Sequence, residues 1–219
     1  MKYALLIGIG YVNTKHALEG PLRDVYKIKE TLVDYECTII TDHTETKPTK
    51  KVIVEAFLAL LQKKGPLFFY YSGHGQEEPE AILCADQEII THDEFRKMLD
   101  TMDPKSTLIA VLDTCFSGNM FDLAYHWTND WHKEGPDTPG HVFLISSSQE
   151  DEFSYEYSTH SGQAGGFTLA YLDTIKKPQT WKSLMEQVTQ KLQLQTPELS
   201  TGQQENVDAS FAIQILKIS

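Results

Sequence analysis

The apolar residues of this chain fall into short unbroken runs. Tyr3 to Ile9, Cys37 to Thr41, the run from Leu67 to Tyr71, the run from Leu108 to Leu112, and Val142 to Ser146 are each bounded by glycine, proline or polar residues. Runs of this kind read as strands buried on both faces. Between them the spacing becomes helical. Leu22, Val25, Ile28, Lys29 and Leu32 predict a helix over 22–34. Pro48 and Thr49 open a second helix with Val52, Ala56, Leu60 and Leu61 on one face, and Gly65-Pro66 stops it. Thr91 and Glu94 form a capping box ahead of the stripe Phe95, Met98, Leu99 and Met102. Residues 167–175 and 181–194 read as further helices, and Ser210 to Leu216 as a last strand. A short strand at Ala81 to Cys84 pairs as a hairpin with 88–90, whereas 119–140 and 147–166 read as long irregular loops. Alternating strands and helices predict an α/β fold with a mostly parallel sheet covered on both faces. No linker interrupts the elements, so a single domain over 1–219 is expected.

Composition narrows what such a fold would do. Lys and Arg number 19 against 31 Asp and Glu, a formal charge of −12. That balance disfavours nucleic acid and favours cationic ligands. The three cysteines, Cys37, Cys84 and Cys115, form no CxxC pair and no even disulfide framework, which points to a reducing, cytoplasmic compartment. Cys37 reads as a buried thiol in its strand. The start of the chain is too short in apolar residues for a signal peptide, and no stretch is long enough to span a membrane. Gly8-Ile9-Gly10 lacks the third glycine of a dinucleotide site, with Asn13 in its place, and reads as a turn.

Two strands end in reactive side chains. The run from Leu67 ends in Ser72-Gly73-His74-Gly75, and the run from Leu108 ends in Asp113-Thr114-Cys115-Phe116-Ser117-Gly118. Alone, His74 reads as a satisfied buried histidine and Cys115 as a buried thiol. Ligands of open parallel sheets bind at the carboxyl ends of strands, and both residues fall there. A thiol becomes a strong nucleophile when a neighbouring histidine takes its proton, and the same histidine can later protonate a leaving amine. The N–H groups of Gly75 and Cys115 are candidate donors to an oxyanion.

These two motifs resemble the histidine and cysteine motifs of metacaspases, in the caspase-like clan of cysteine peptidases (family C14), although the Q-A-C-[RQG]-G signature of caspases proper is not met. Leu18-Glu19-Gly20-Pro21-Leu22-Arg23-Asp24-Val25 and Gly165-Gly166-Phe167-Thr168 resemble further segments of that family, so the resemblance covers nearly the whole chain. It implies a caspase–haemoglobinase fold of about six strands, with 1–118 and its following loop resembling a large subunit and about 141–219 a small one. It implies a monomeric thiol endopeptidase cutting protein or peptide substrates after Arg or Lys. Cys115 would be the nucleophile and His74 the base and acid, with Asp24 and Asp113 holding the basic side chain beside Ser72. Two carboxylates suit a guanidinium or ammonium and repel an acid. The commoner family pattern has Cys and Asn where Pro21 and Arg23 stand, and on a helix Arg23 points about 100° away from Asp24.

The resemblance also implies calcium as a candidate cofactor, with Asp93 and Asp122 where two ligands would fall. His92 stands where another acid is usual, and Glu77, Glu78, Glu80 and Asp86 are the acids available nearby. The cluster His126, Trp127, Asp130, Trp131 and His132 matches no standard metal spacing and reads as loop. Lys133 is the only Lys or Arg between Gly118 and Ile175, hence the candidate for zymogen self-cleavage. Two other readings stand beside the main one: a clan peptidase cutting after Asn, and a catalytically silent caspase-like scaffold.

Overall fold

The computed structural model describes residues 1–127, 130–149, 156–159, 162–177, 179–192 and 194–211. In chain order the elements are β1 (Lys2–Gly8), α1 (Gly20–Thr31), β2 (Tyr35–Thr41), α2 (Lys50–Leu61), β3 (Pro66–Ser72), β4 (Gly75–Gln76), β5 (Ala81–Leu83), β6 (Ile89–Thr91), α3 (His92–Leu99), β7 (Thr107–Asp113), β8 (Tyr125–Trp127), β9 (Trp131–Lys133), β10 (His141–Ser146), β11 (Glu156–Thr159), β12 (Gly162–Gly165), α4 (Gly166–Thr174), α5 (Trp181–Lys191) and β13 (Glu198–Thr201). The central sheet runs β2-β1-β3-β7-β10-β13-β8-β9. Its first five strands are parallel, and β13, β8 and β9 continue it antiparallel.

The unbroken apolar runs are explained by two-sided burial. Side chains alternate across a strand, and here both sets meet helices. Leu5, Ile7, Leu67, Phe69, Tyr71, Leu108, Ala110 and Leu112 pack with Phe57 of α2 and Phe95 of α3. Ala4, Leu6, Phe68, Tyr70, Ile109 and Val111 pack on the other face with Val25 of α1, Phe167 of α4 and Leu184 of α5. Ser72 and Asp113 carry the second alternation forward, and they are partners in the β3–β7 register. Their side chains therefore belong to the face covered by α1 and α4.

The predicted helix start and capping box are present. Thr49 accepts from the Val52 N–H, and Thr91 with Glu94 closes the capping box. Three expectations change. The sheet has eight strands, because segment 119–140 contributes the hairpin β8–β9 and the polar stretch before Gly202 contributes β13. The loop 147–166 contains the hairpin β11–β12. β8 and β9 read as loop because each strand is only three residues long, too short to show an alternation. The final strand expected over 210–216 lies outside the described residues from 212 onward. Cys37, on edge strand β2, is half-buried rather than buried. No helix among the described residues is long and apolar enough to cross a membrane.

Candidate active site

β3 and β7 are adjacent and parallel, so their carboxyl ends deliver His74 and Cys115 to the same edge of the sheet. The turn after each strand holds its residue differently. At His74 the whole peptide unit is held. The Tyr11 hydroxyl accepts the His74 N–H at 2.9 Å and donates to the Leu83 carbonyl at 2.7 Å. The Tyr71 hydroxyl donates to the His74 carbonyl at 2.9 Å. Burial raises both phenol pKa values, so both hydroxyls keep their protons. The Tyr11 ring also lies 4.6 Å from the imidazole, centroid to centroid. His74 Nε2 stands 2.8 Å from the His16 carbonyl. A carbonyl only accepts, so Nε2 carries the proton and Nδ1 keeps the lone pair of the neutral ring.

Cys115 follows β7 in a turn fixed by serines from the end of β10. Ser147 Oγ accepts the Thr114 N–H at 3.1 Å and donates to the Thr114 carbonyl at 2.9 Å, and Ser148 Oγ reaches the same carbonyl at 3.2 Å. Phe116 takes a left-handed conformation, φ 54°, which turns the chain sharply after the thiol. The two turns touch. A Cβ added to Gly75 would overlap the Cys115 carbonyl, so only glycine permits this approach. The Leu83 N–H donates to the His74 carbonyl, which makes Gly75 and Ile82 a non-hydrogen-bonded pair. The Gly75 N–H is thereby left outside the β4–β5 ladder.

Asp24, Ser72 and Asp113 come together with the start of α4. All three are buried. Asp24 accepts the Gly165 N–H at 2.8 Å through Oδ2. Asp113 Oδ2 accepts the Thr168 N–H at 3.1 Å and the Thr168 hydroxyl at 2.6 Å. Tyr70 joins Thr168 at 2.7 Å, and its phenol pKa is raised by burial and then by the charges of Asp24 and Asp113. Gly165, the N-cap of α4, makes no side-chain cap bond of its own. Two acids from elsewhere in the chain serve that helix end, where negative charge is favoured. Asp24 is not in the first turn of α1, so it does not act on the dipole of its own helix. Arg23 lines a separate recess with Gly10, Val12, Leu18 and Leu22.

The metal candidates are not gathered. The Asp93 carboxylate is 69% exposed, with His92 Nε2 3.8 Å away. Asp86 takes the Lys50 N–H at the start of α2, and Glu80 lies 3.5 Å from His92. His126 pairs with Glu198 at 2.7 Å inside the sheet. Among the described residues no group of three or more His, Cys, Asp or Glu is placed to hold a metal ion. Lys133 lies in β9, bonded to Asp137 at 2.8 Å and over the Tyr125 ring, so cleavage after it requires β9 to leave the sheet.

A model of the caspase domain matches residues 1–210. The chain belongs to the caspase-domain family of cysteine peptidases. Metacaspase-6 of Arabidopsis thaliana is 34% identical over 174 residues, covering 69% of this chain and 47% of the plant protein. The chain thus spans about half the length of that relative. Inactive metacaspase-4 of Trypanosoma brucei brucei is 27% identical over an alignment of 262 positions, covering 96% of this chain and 74% of the other. A crystal structure of a Geobacter sulfurreducens protein superposes with a TM-score of 0.72 at 18% identity over 94% of each chain, which supports the caspase-like fold.

The family segments were visible in sequence, but their supports were not. Nothing marked Tyr11 or the His16 carbonyl, since Tyr11 sits in a loop with no periodicity. The run Ser146-Ser147-Ser148 after a strand was the available signal for the serine support. Tyr11→Phe is expected to keep the ring contact while leaving the His74 N–H without its acceptor. If His74 is the general base, the loss is on the order of tenfold in kcat at unchanged KM, because a misplaced base costs rate more than binding. Steady-state kinetics checks it, and a variant that lowers only thermal stability contradicts it.

Proposed function

We propose that this chain is a cysteine endopeptidase that cuts after Arg or Lys, using His74 and Cys115. The observation that carries this reading is the contact between the two strand ends, where the Gly75 turn lies against the Cys115 carbonyl with Asp24 and Asp113 buried at the same edge.

The chemistry follows from the groups present. His74 Nδ1 takes the proton of Cys115, and Sγ attacks the carbonyl carbon of the scissile peptide. The carbonyl π electrons move to oxygen, where the N–H groups of Gly75 and Cys115 stabilise the charge. Collapse breaks the C–N bond as His74 returns its proton to the leaving amine, and a thioester remains. A water that gives its proton to His74 attacks the thioester, a second tetrahedral species collapses, and the thiolate leaves and is reprotonated. The His16 carbonyl fixes the ring through Nε2–H, which leaves Nδ1 facing the proton it must take and return. A basic side chain would meet Asp24 and Asp113 beside Ser72. Both carboxylates are covered by the turn at Gly165, so its entry requires that turn to shift.

The test is a panel of fluorogenic peptides that differ only in the residue before the cut. Arg and Lys are expected to be turned over, and Asp and Asn not. Cleavage after Asn alone would overturn the pocket assignment. No cleavage of any member by the pure chain, with a partner bound equally by wild type and Cys115→Ala, would favour a silent scaffold, the state that the name of the trypanosome relative describes for that protein.

A further inference from the structure

A calcium ion in a protein is a positive charge held by six to eight oxygens. Between α3 and the loop after Cys115 the chain places a positive charge of its own among oxygens. Arg96 lies in α3, three residues after Asp93, and is only 9% exposed. Its Nε bonds the Asp100 carboxylate at 3.1 Å. Its Nη1 donates to the carbonyls of Asp122 and Pro136, each at 3.0 Å, and Nη2 donates to the carbonyl of Asp137 at 3.2 Å. One planar group therefore ties α3 to the segment after the cysteine and to the segment after β9. Both sides of the tie are rooted in the core, because Phe95 and Phe121, the neighbours of Arg96 and Asp122, have ring centroids 5.0 Å apart.

We infer that Arg96 is the resident cation of this region, and that the chain does not take up calcium at Asp93 and Asp122. Three features argue for it. The Asp122 carbonyl already has a charged donor. A divalent ion bound between Asp93 and Asp122 would sit beside a guanidinium that cannot lose its proton. The Asp93 carboxylate stands largely in solvent, 3.8 Å from an imidazole nitrogen rather than among oxygens. A guanidinium on the chain neither dissociates nor responds to cation concentration, so the loop after Cys115 is held permanently rather than on a signal. The inference rests on α3 and its contacts, and its test uses no peptide cleavage, so a failure of the peptidase reading would leave it standing.

The test compares thermal unfolding and calorimetric titration of the whole chain with calcium chloride. Wild type is expected to melt at the same temperature in EDTA and in millimolar calcium, and to give no saturable heat. Arg96→Met is expected to lower Tm by about 5–10 °C by stranding the carbonyls. Arg96→Lys should recover part of this, since one ammonium cannot span all four oxygens. A calcium-dependent rise in wild-type Tm, or saturable binding removed by Asp93→Asn or Asp122→Asn, overturns the inference. So does an Arg96→Met protein as stable as wild type. If Arg96→Met does not fold, the wild-type titration and Arg96→Lys still decide.

Discussion

Cys115→Ala is expected to remove peptide hydrolysis, a loss on the order of 10⁴-fold or more, because no other group at the site can form the thioester. His74→Ala should cost roughly 10²–10⁴-fold by removing general acid–base help while leaving the thiol. The double variant should be no worse than Cys115→Ala, since the two residues act as one unit. A substrate-independent measurement goes with this. Cys84 is fully buried, and burial, with a smaller contribution from the Asp86 charge, pushes its thiol up to about 12. Burial also raises the Cys37 thiol. Both are therefore protonated near neutral pH, and iodoacetamide should label Cys115 first. Below neutral pH that selectivity should depend on His74, and His74→Ala should move the labelling profile of Cys115 to higher pH. Hydrolysis that survives in Cys115→Ala, or labelling that ignores His74, would sink the dyad.

The strands and helices that bury both sheet faces were legible because their signal is local. Tyr3 to Ile9 and the runs from Leu67 and Leu108 are apolar on every position, and β1, β3 and β7 are central strands. Thr91 read correctly as a cap, and Pro48-Thr49 as a helix start, because these signals are decided within three residues. The antiparallel extension was not legible. β8 and β9 hold each other and β13 through cross-strand pairs such as His126 with Glu198, which are 72 residues apart in sequence. The site divides the same way. His74, Gly75 and Cys115 announce themselves by small residues at strand ends. The groups that orient them, Tyr11, Tyr71, Ser147 and the His16 carbonyl, act across tertiary contacts and carry no spacing. Asp24 is the instructive case. The family segment around it suggested a specificity acid, and its carboxylate also binds the N-terminal end of a helix 141 residues further on.

The capping role decides how the proposed specificity acids should be probed. Alanine at Asp113 would remove both the charge and the acceptor for Thr168, so lost activity and lost stability would arrive together. Asp113→Asn keeps an oxygen able to accept from Thr168 and removes the charge. Weaker interaction with the α4 dipole should then cost up to about 2 kcal/mol of stability at this buried position. Hydrolysis after Arg or Lys should fall much further. Losing one partner of a desolvated charge pair costs roughly 2–5 kcal/mol, which is about 30- to 4,000-fold in kcat/KM at 1.4 kcal/mol per tenfold. Iodoacetamide labelling of Cys115 should be unchanged, because the thiol and His74 are untouched. Gly165→Ala is the steric counterpart. Its backbone angles, φ −61° and ψ 128°, suit any residue, but the new Cβ would overlap the Asp113 carboxylate and lie 3.1 Å from Asp24 Oδ2. It should therefore lose Arg and Lys cleavage with the charges still present. If Asp113→Asn instead loses stability and keeps its turnover of Arg peptides, the two acids are caps for α4 and nothing more, and the basic side chain must be recognised elsewhere.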